Sequence, residues 1–328
     1  MASLRLDVLA IGDAIVDVIA TTDDAFLAGR GIPKGGMQLL TTDEADELYA
    51  AMGPAREMSG GSAANSMAGI AALGARAGFI GQIADDQLGA IFAHDMHALG
   101  IYFSTPPIPG PPPTGRCLIL VTPDAQRTMN TCPGASYELT PGALDADLVC
   151  SASITFLEGY LWGPERPRAA MLEAARIAHS AERTVAFTLS ESLLLGDRRA
   201  GVMGMIDAGL VDLLFGNERE MRHLTGCDSL DECLEALSPK VRTLVVTRGA
   251  QGAVAVEGAH RAEVPAAPVR KVVDTTGAGD LFAAGFVVAR CRGRELKACL
   301  QAGSLAAAEI ISHLGARPEA DLKKVVKL

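Results

Sequence analysis

A glycine-rich turn that leads into an apolar helix carries the clearest chemical signal in this chain. Residues 273–285 read VDTTGAGDLFAAG. Glycines let backbone N–H groups approach a ligand closely, and the start of a helix adds partial positive charge that favours an anion. Asp280 therefore places an acid where a phosphate would bind, which suits a base that deprotonates a hydroxyl beside a transferring phosphoryl group. For GAGD alone, an ordinary tight turn whose aspartate complements the helix dipole is the alternative.

Two acids and a second glycine turn lie near the start of the chain. Asp13 and Asp17 follow the first apolar run, and a carboxylate there can accept hydrogen bonds from the vicinal hydroxyls of a polyol. In the motif SGGSAAN, Gly60 and Gly61 allow close approach of the backbone, and Asn65 offers both a donor and an acceptor. A solvated turn and a polar first helical turn are the alternatives. Neither G-x-G-x-x-G nor G-x-x-x-x-G-K-[ST] occurs, which argues against a dinucleotide-binding fold and a P-loop kinase.

The full string D-T-T-G-A-G-D-x-F-x-x-G resembles the signature of the PfkB, or ribokinase-like, family of small-molecule kinases. Several other stretches are most similar to the adenosine kinases of that family, and the resemblance spans almost the whole chain. It implies that Asp280 is the catalytic base and that the backbone of Gly277, Ala278 and Gly279 belongs to an anion hole. It also implies that the hydroxyls of a sugar or ribose are bound by five residues of the two early motifs: Asp13, Asp17, Gly60, Gly61 and Asn65.

Three further side chains gain a role from the resemblance. Arg127 lies on a predicted strand, from which it can swing over the substrate and contact the transferring phosphate, a task that suits its forked guanidinium. Gln38 and Tyr160 match positions that line the nucleobase pocket in adenosine kinases, with Tyr160 as the aromatic for stacking. A plain core role is the alternative for Tyr160.

Two polar turns that follow apolar runs match the family's nucleotide positions. Asn217 and Glu220 form a capping-box pattern, and the resemblance implies that they also organise Mg²⁺ and phosphates, Glu220 through water. The run TRGAQG at 247–252 resembles the loop for the β- and γ-phosphates, although a hairpin is the alternative. The implied ATP contacts are Asn217, Thr247, Arg248, Gly249 and Thr275.

The elements that must position these residues alternate between short β-branched runs and longer helical patterns. This alternation predicts βαβ units and a mostly parallel sheet covered on both faces, with ligands beyond the carboxyl ends of the strands. The predicted strands are 8–11, 77–80, 154–157, 185–189, 213–215 and 244–247. The predicted helices are 43–52, 63–73, 87–99, 166–179, 218–225 and 278–290.

Two pairs of segments do not fit the βαβ pattern. Residues 16–22 with 37–41, and 117–122 with 128–131, are typical of exposed strands joined by turns. We interpret them as a small β lid, with segments at about 16–41 and 114–132, inserted into a single kinase domain that covers residues 1–328. A peripheral hairpin is the alternative. The predicted fold is a ribokinase-like three-layer α/β/α arrangement with this lid.

Composition restricts the class of partner. The formal charge is −10 and no Lys/Arg-rich run occurs, which argues against nucleic acid or an anionic membrane surface as the main partner. The seven cysteines contain no C-x-x-C pair, so a reducing cytoplasm is the expected location. Acidic residues interrupt the first apolar run, which disfavours a signal peptide, and no apolar stretch is long enough to span a membrane. We expect a monomer or a homodimer.

The motifs together predict an ATP- and Mg²⁺-dependent kinase that phosphorylates the primary alcohol of a nucleoside, adenosine above others, and they leave a need for K⁺ open. The first alternative is a sugar kinase of the same family, acting on ribose, fructose or a sugar acid. The second is a nucleotide-binding regulator without turnover, against which the intact Asp280 motif argues. An oxidoreductase that uses NAD is disfavoured, because its fingerprint is missing.

Overall fold

The computed structural model describes residues 5–124, 126–190 and 198–328. Strands and helices alternate along most of the chain, as the sequence predicts. The strands of the described residues are, in chain order, β1 Leu6–Ile11, β2 Ile15–Thr21, β3 Met37–Leu39, β4 Ala55–Ser59, β5 Ala77–Ile80, β6 Tyr102–Phe103, β7 Gly115–Val121, β8 Arg127–Cys132, β9 Ala152–Glu158, β10 Thr184–Thr188, β11 Leu213–Asn217, β12 Thr243–Thr247, β13 Ala253–Glu257 and β14 His260–Val264.

The helices pack on the sheets, and the last three elements of the chain are all helices. Most of them begin at a capping residue whose side chain accepts a backbone N–H, as Asp86 does at the start of the fourth helix. The α-helices of the described residues are α1 Asp24–Gly29, α2 Thr42–Ala51, α3 Ser62–Ala72, α4 Gln87–Ala98, α5 Ala146–Ser151, α6 Glu165–Ser180, α7 Arg199–Asp207, α8 Glu218–Thr225, α9 Leu230–Leu237, α10 Ala278–Cys291, α11 Leu296–Ile310 and α12 Leu322–Val326.

The larger sheet has the order β14-β13-β12-β11-β10-β9-β1-β5-β6. From β6 to β12 all neighbouring strands are parallel, and β13 and β14 extend one edge in antiparallel pairing. The carboxyl ends of β1, β9, β11 and β12 therefore lie at one edge of the sheet, where ligands bind in open α/β folds. This arrangement confirms the predicted mostly parallel sheet.

Apolar residues cover both faces of this sheet. Along β1, Val8 and Ala10 belong to one buried cluster, and Leu9 and Ile11 belong to the other. Helices α3, α10 and α11 contribute to the first cluster, and α6 to α9 contribute to the second. The alternation is the one that a strand with two covered faces requires, and it produces the predicted three layers.

A second sheet of five strands lies beside the first, in the order β3-β8-β7-β2-β4. Strands β2, β3, β7 and β8 come from the two predicted segments, and β4 joins them although the sequence analysis did not assign it. Its run AREMS is short and mostly polar, so it shows little of the apolar character used to find strands. Strand β2 follows β1 after only three residues, so the two sheets diverge at Asp13.

The length and polarity of a helix determine whether it can span a membrane. Within the part of the chain that the structure describes, no helix is both long enough and apolar enough to cross a bilayer.

Candidate active site

Asp280 lies in the first turn of α10, beside the N-terminal part of α3. Gly277 caps the helix with φ of 77°, a left-handed conformation that favours glycine. The Asp280 carboxylate accepts hydrogen bonds from Ser62 Oγ at 2.6 Å and from Asn65 Nδ2 at 3.1 Å. The structure therefore brings the two glycine motifs together, although they are separated by more than 200 residues in the chain.

The surroundings of Asp280 tune its basicity. Burial raises the pKa of Asp280 to about 6, while the hydrogen bonds from Ser62 and Asn65 and the charge of Arg317 act in the opposite direction. The carboxylate is then mostly ionised at pH 7 but is more basic than an exposed aspartate. A pKa close to the working pH is the condition under which a carboxylate is an effective general base.

Backbone amides at the start of α10 are available to an anion. The Ala278 N–H donates to the Thr275 carbonyl at 3.2 Å. The next amides, of Gly279 and Asp280, lie in the first helical turn, where a helix offers no acceptor of its own. Gly279 is exposed, and a side chain there would meet open space. The turn thus combines free amides, partial positive charge and a base.

Asp274 holds this turn in place. Its carboxylate accepts from the Thr276 N–H at 3.0 Å, from Thr276 Oγ1 at 2.7 Å and from the Gly315 N–H at 2.9 Å. Burial raises the pKa of Asp274, but these donors outweigh it and leave the pKa below its ordinary value. Arg127 of β8 forms a buried ion pair with the same carboxylate and lies 3.3 Å from Thr276 Oγ1. The second sheet therefore contacts the anion-binding turn directly, and the contact of Arg127 with phosphate stays a prediction.

Asp280, Ser62 and Asn65 form one side of a site that we call the recess, and Asp17 and the glycine pair before α3 form the other side. A Cβ on Gly60 would lie 2.7 Å from Asp17 Oδ2 and closer still to Oδ1, so this carboxylate rests against bare backbone. Gly61 has φ of 91° and packs against the carbonyl of Asp13. Both positions require glycine, the first for space and the second for conformation.

Asp17 and Asp280 influence each other electrostatically. Burial raises the pKa of Asp17 to about 6, with the charges of Arg317 and Arg127 opposing the rise and the charge of Asp280 adding to it. The two carboxylates are therefore close enough for their charges to interact, as the kinase interpretation requires.

Glu158, at the end of β9, is a buried acid that the sequence analysis missed. It is fully buried and accepts the Ala63 N–H at 2.6 Å and the Asp13 N–H. Burial and the nearby charge of Asp13 raise its pKa well above the ordinary value, and burial raises the pKa of Asp13 to about 7. Asp13 Oδ1 has no hydrogen-bond partner within the described chain. The signal in the sequence is an acid that directly follows the predicted strand 154–157 and precedes Gly159 and Tyr160.

The predicted nucleobase residues lie on β3 and after β9. Gln38, on β3, is half-buried and donates from Nε2 to Asn130 Oδ1 at 2.7 Å. Tyr160 is half-buried in a short 3₁₀ turn, Gly159–Trp162, that follows β9. Their contact with a base stays a prediction.

Most of the predicted ATP residues lie at the carboxyl ends of β11 and β12. Asn217 and Glu220 form the expected capping box at α8: Asn217 Nδ2 and its N–H each donate to the Glu220 carboxylate at 2.8 Å. After Thr247, the chain turns through Arg248 and Gly249 into β13, which pairs antiparallel with β12 as the hairpin alternative predicts. These turns lie at the same sheet edge as Asp13, and Thr275 is exposed in the loop before α10. Their ATP contacts stay predictions.

The donors available for Mg²⁺ fit a hydrated ion better than a resident one. Within the described residues, no group of three His, Cys, Asp or Glu side chains is arranged to hold a metal. Both oxygens of the Glu220 carboxylate accept hydrogen bonds from Asn217. Mg²⁺ usually keeps several waters and enters kinase sites with the phosphates of its nucleotide. The role of Glu220 in holding such an ion through water stays a prediction.

Arg317 is the second site residue that the sequence analysis missed. From the segment between α11 and α12, its Nη1 donates to Asn65 Oδ1 at 2.6 Å. Its Nη2 donates to the Ser59 carbonyl at 2.8 Å and to Ser59 Oγ at 3.0 Å. It lies in no motif that was considered, and a lone arginine far along the chain gives no signal by itself.

Comparison with known proteins assigns the family. Residues 6–322 match the model of the pfkB family of carbohydrate kinases, so the chain belongs to this family and is a kinase with a ribokinase-like fold. Kinases of this family use ATP and Mg²⁺, and they act on small sugars or nucleosides.

The relatives differ in their substrates. The adenosine kinase of Sinorhizobium meliloti is 46% identical, with a TM-score of 0.92 and 99% of each chain covered. A probable sugar kinase of Rhizobium etli is 44% identical, with a TM-score of 0.93 and 98% of each chain covered. The ribokinase of Arabidopsis thaliana is 26% identical over 83% of this chain and 72% of its own.

Proposed function

We propose that this kinase transfers the γ-phosphoryl group of ATP to the primary alcohol of a nucleoside, with adenosine as the preferred acceptor and AMP and ADP as the products. The observation that carries the proposal is the shared recess of Asp280 and Asp17, which Asn65 and Arg317 join. The high identity with the S. meliloti adenosine kinase over the full length supports adenosine as the acceptor.

The first role in the mechanism is to hold the ribose. Asp17, Gly61 and Asn65 bind its hydroxyls and so direct the 5′-hydroxyl toward Asp280. Gly60 leaves the space that the Asp17 carboxylate occupies. Placing two reactants in line within one site removes much of the entropic barrier to their reaction.

The second role is proton transfer. As the 5′-oxygen bonds to the γ-phosphorus, the bond from that phosphorus to the β,γ-bridging oxygen breaks and ADP leaves. The hydroxyl proton passes to the Asp280 carboxylate, whose pKa of about 6 lets it accept the proton at neutral pH. The amides of Gly279 and Asp280 stabilise the charge that develops on the phosphoryl oxygens, whereas the Ala278 N–H donates to the Thr275 carbonyl.

The nucleotide is held by the turns after β11 and β12. Asn217, Thr247, Arg248, Gly249 and Thr275 are the proposed ATP contacts, and Arg127 brings positive charge from the second sheet. Glu220 would hold Mg²⁺ through water, and the ion bound with ATP would neutralise phosphate charge. Closure of the second sheet as a lid would exclude water from the reaction.

A sugar kinase is the second candidate, because the R. etli probable sugar kinase is almost as similar to this chain. In that case the recess at Asp17 holds a ribose, a fructose or a sugar acid, and Gln38 and Tyr160 contact no base.

Coupled measurement of ADP release with adenosine, other nucleosides, ribose, fructose and sugar acids separates the two candidates. We expect the highest kcat/KM with adenosine. A higher kcat/KM with any free sugar would reject the nucleoside assignment. Absence of ADP release with every acceptor would reject both candidates.

A further inference from the structure

Arg317 is the most unusual side chain of the recess, because it reaches the site from the C-terminal segment. Its guanidinium contacts two elements at once: Asn65 of α3 and Ser59 at the end of β4. The backbone N–H of Ser59 donates in turn to Asp95 of α4 at 2.8 Å. The arginine is thus held in a defined place rather than extended into solvent.

The contact with Asn65 determines which way its amide faces. A guanidinium only donates hydrogen bonds, so the oxygen of the amide must face Arg317. The nitrogen of the same amide then faces Asp280 Oδ2 at 3.1 Å. If the amide turned over, two oxygens would oppose each other at Asp280 and two donors would oppose each other at Arg317.

The charge of Arg317 also acts on the acids of the recess. Asp280 is faced by Ser62 and Asn65 of α3, by Asp17 of β2, by Glu158 of β9 and by Arg317. The charge of Arg127, on β8, acts on Asp17. Burial lowers the pKa of Arg317 while Asp17, Asp280 and Asp95 raise it, and an arginine keeps its charge under such conditions. The charge of Arg317 therefore acts on both Asp17 and Asp280.

We propose that Arg317 is a positioning residue, which locks the Asn65 amide against Asp280 and keeps that carboxylate ionised and ready to accept a proton. The proposal rests on the proposed function, since it takes Asp280 to be the base. A residue that only anchored the C-terminal segment to Ser59 would affect folding stability but not the titration of Asp280.

The test compares Arg317→Met, which keeps most of the length and loses the charge, with Arg317→Lys, which keeps the charge. Arg176→Met is the matched control, because the Arg176 side chain is 60% exposed on α6 and pairs only with the exposed Glu173 in the described chain. Two quantities are measured: the titration of the Asp280 carboxyl by ¹³C NMR in the ligand-free protein, assigned with Asp280→Asn, and the pH profile of ADP release with the best acceptor.

For Arg317→Met we expect the Asp280 midpoint to rise by at least about half a pH unit, which is roughly a threefold change in its equilibrium constant. The rate should therefore fall at least about twofold more at pH 6 than at pH 8, because the ionised fraction of Asp280 about halves at pH 6. Arg317→Lys should keep the midpoint near that of the wild type but lower the rate at pH 8 at least about threefold, because an ammonium lacks the fork that orients Asn65. Arg176→Met should match the wild type in both measurements.

An unchanged Asp280 midpoint in folded Arg317→Met, or an equal loss of rate at every pH, would overturn the proposal. If Arg317→Met does not fold, the test relies on Arg317→Lys. A wild-type rate of Arg317→Lys at every pH would then overturn the proposal. Failure of the proposed function gives a different result: no acceptor is phosphorylated, or the Asp280→Asn variant keeps its turnover. The NMR titration reports on Arg317 even then, so the two failures are distinguishable.

Discussion

Gly60→Ala tests whether the Asp17 carboxylate holds the substrate. The added Cβ would lie 2.7 Å from Asp17 Oδ2 and closer still to Oδ1, whereas ordinary contacts begin at 3.4 Å. The carboxylate must therefore move by about 1 Å, a displacement large enough to break a hydrogen bond. Strand β2 pairs with both β4 and β7, so the Asp17 side chain has to move rather than its backbone.

The magnitude follows from the bonds that Asp17 offers to a substrate hydroxyl. A hydrogen bond to a charged group contributes about 1.5 to 3 kcal/mol, and each 1.4 kcal/mol is about a tenfold change in affinity. Loss of one such bond should raise the KM for the acceptor about 10- to 100-fold. The KM for ATP should change less than about threefold, because the nucleotide contacts lie on other turns.

The assay is steady-state ADP release with each substrate varied in turn. Gly204→Ala is the matched control, because it makes the same change on the exposed side of α7, where a Cβ meets nothing within 4 Å. This control should keep both KM values and gain up to about 1 kcal/mol of stability. An unchanged acceptor KM in folded Gly60→Ala, or an equal rise in both KM values, would refute the role of Asp17.

Two further predictions concern the cap of α8 and the pH dependence of stability. Asn217→Ala should lower the free energy of unfolding in urea by about 1 kcal/mol, because the helix loses its cap. It should also raise the Mg²⁺ concentration that gives the half-maximal rate, because the capping box orients Glu220. An unchanged Mg²⁺ response would leave Asn217 with only the capping role. The pKa of Asp280 is about 6 in the folded protein against 3.8 for the free side chain, so folding takes up protons between these values and stability falls as the pH rises through them. Asp280→Asn removes this loss, and its stability relative to the wild type should increase by about 2 kcal/mol between pH 4 and pH 7. A constant difference in unfolding free energy would contradict the raised pKa.

The sequence predicted the large sheet well. Its central strands are continuous apolar runs, which can be recognised from their hydrophobic periodicity and their composition. It also predicted the start of α10, where Gly277 needs a positive φ and Asp280 falls in the first turn. The capping box at Asn217 was predicted for the same reason, since its pattern lies within four residues. Patterns that lie within a few residues of the sequence therefore predict the local structure.

What the sequence did not predict depends on contacts between distant segments. Strand β4 is mostly polar and is a strand only because β2 pairs with it. Glu158 and Arg317 belong to the site because the fold places them against Ala63 and Asn65. No spacing rule connects these residues. The same holds for Arg127, whose predicted partner was a phosphate and whose partner in the structure is Asp274.

The most direct test of the account is the turnover of Asp280→Asn, measured by ADP release with the best acceptor across pH 5 to 9. The substitution keeps the size of the side chain and its place in the first turn of α10 but removes the ability to take up a proton. The account predicts that kcat falls by about 10²-fold or more while the affinity for ATP stays within about threefold, and that the loss of wild-type rate below about pH 6 is absent from the variant. Turnover within a few-fold of the wild type, in a variant that binds ATP normally, would contradict it.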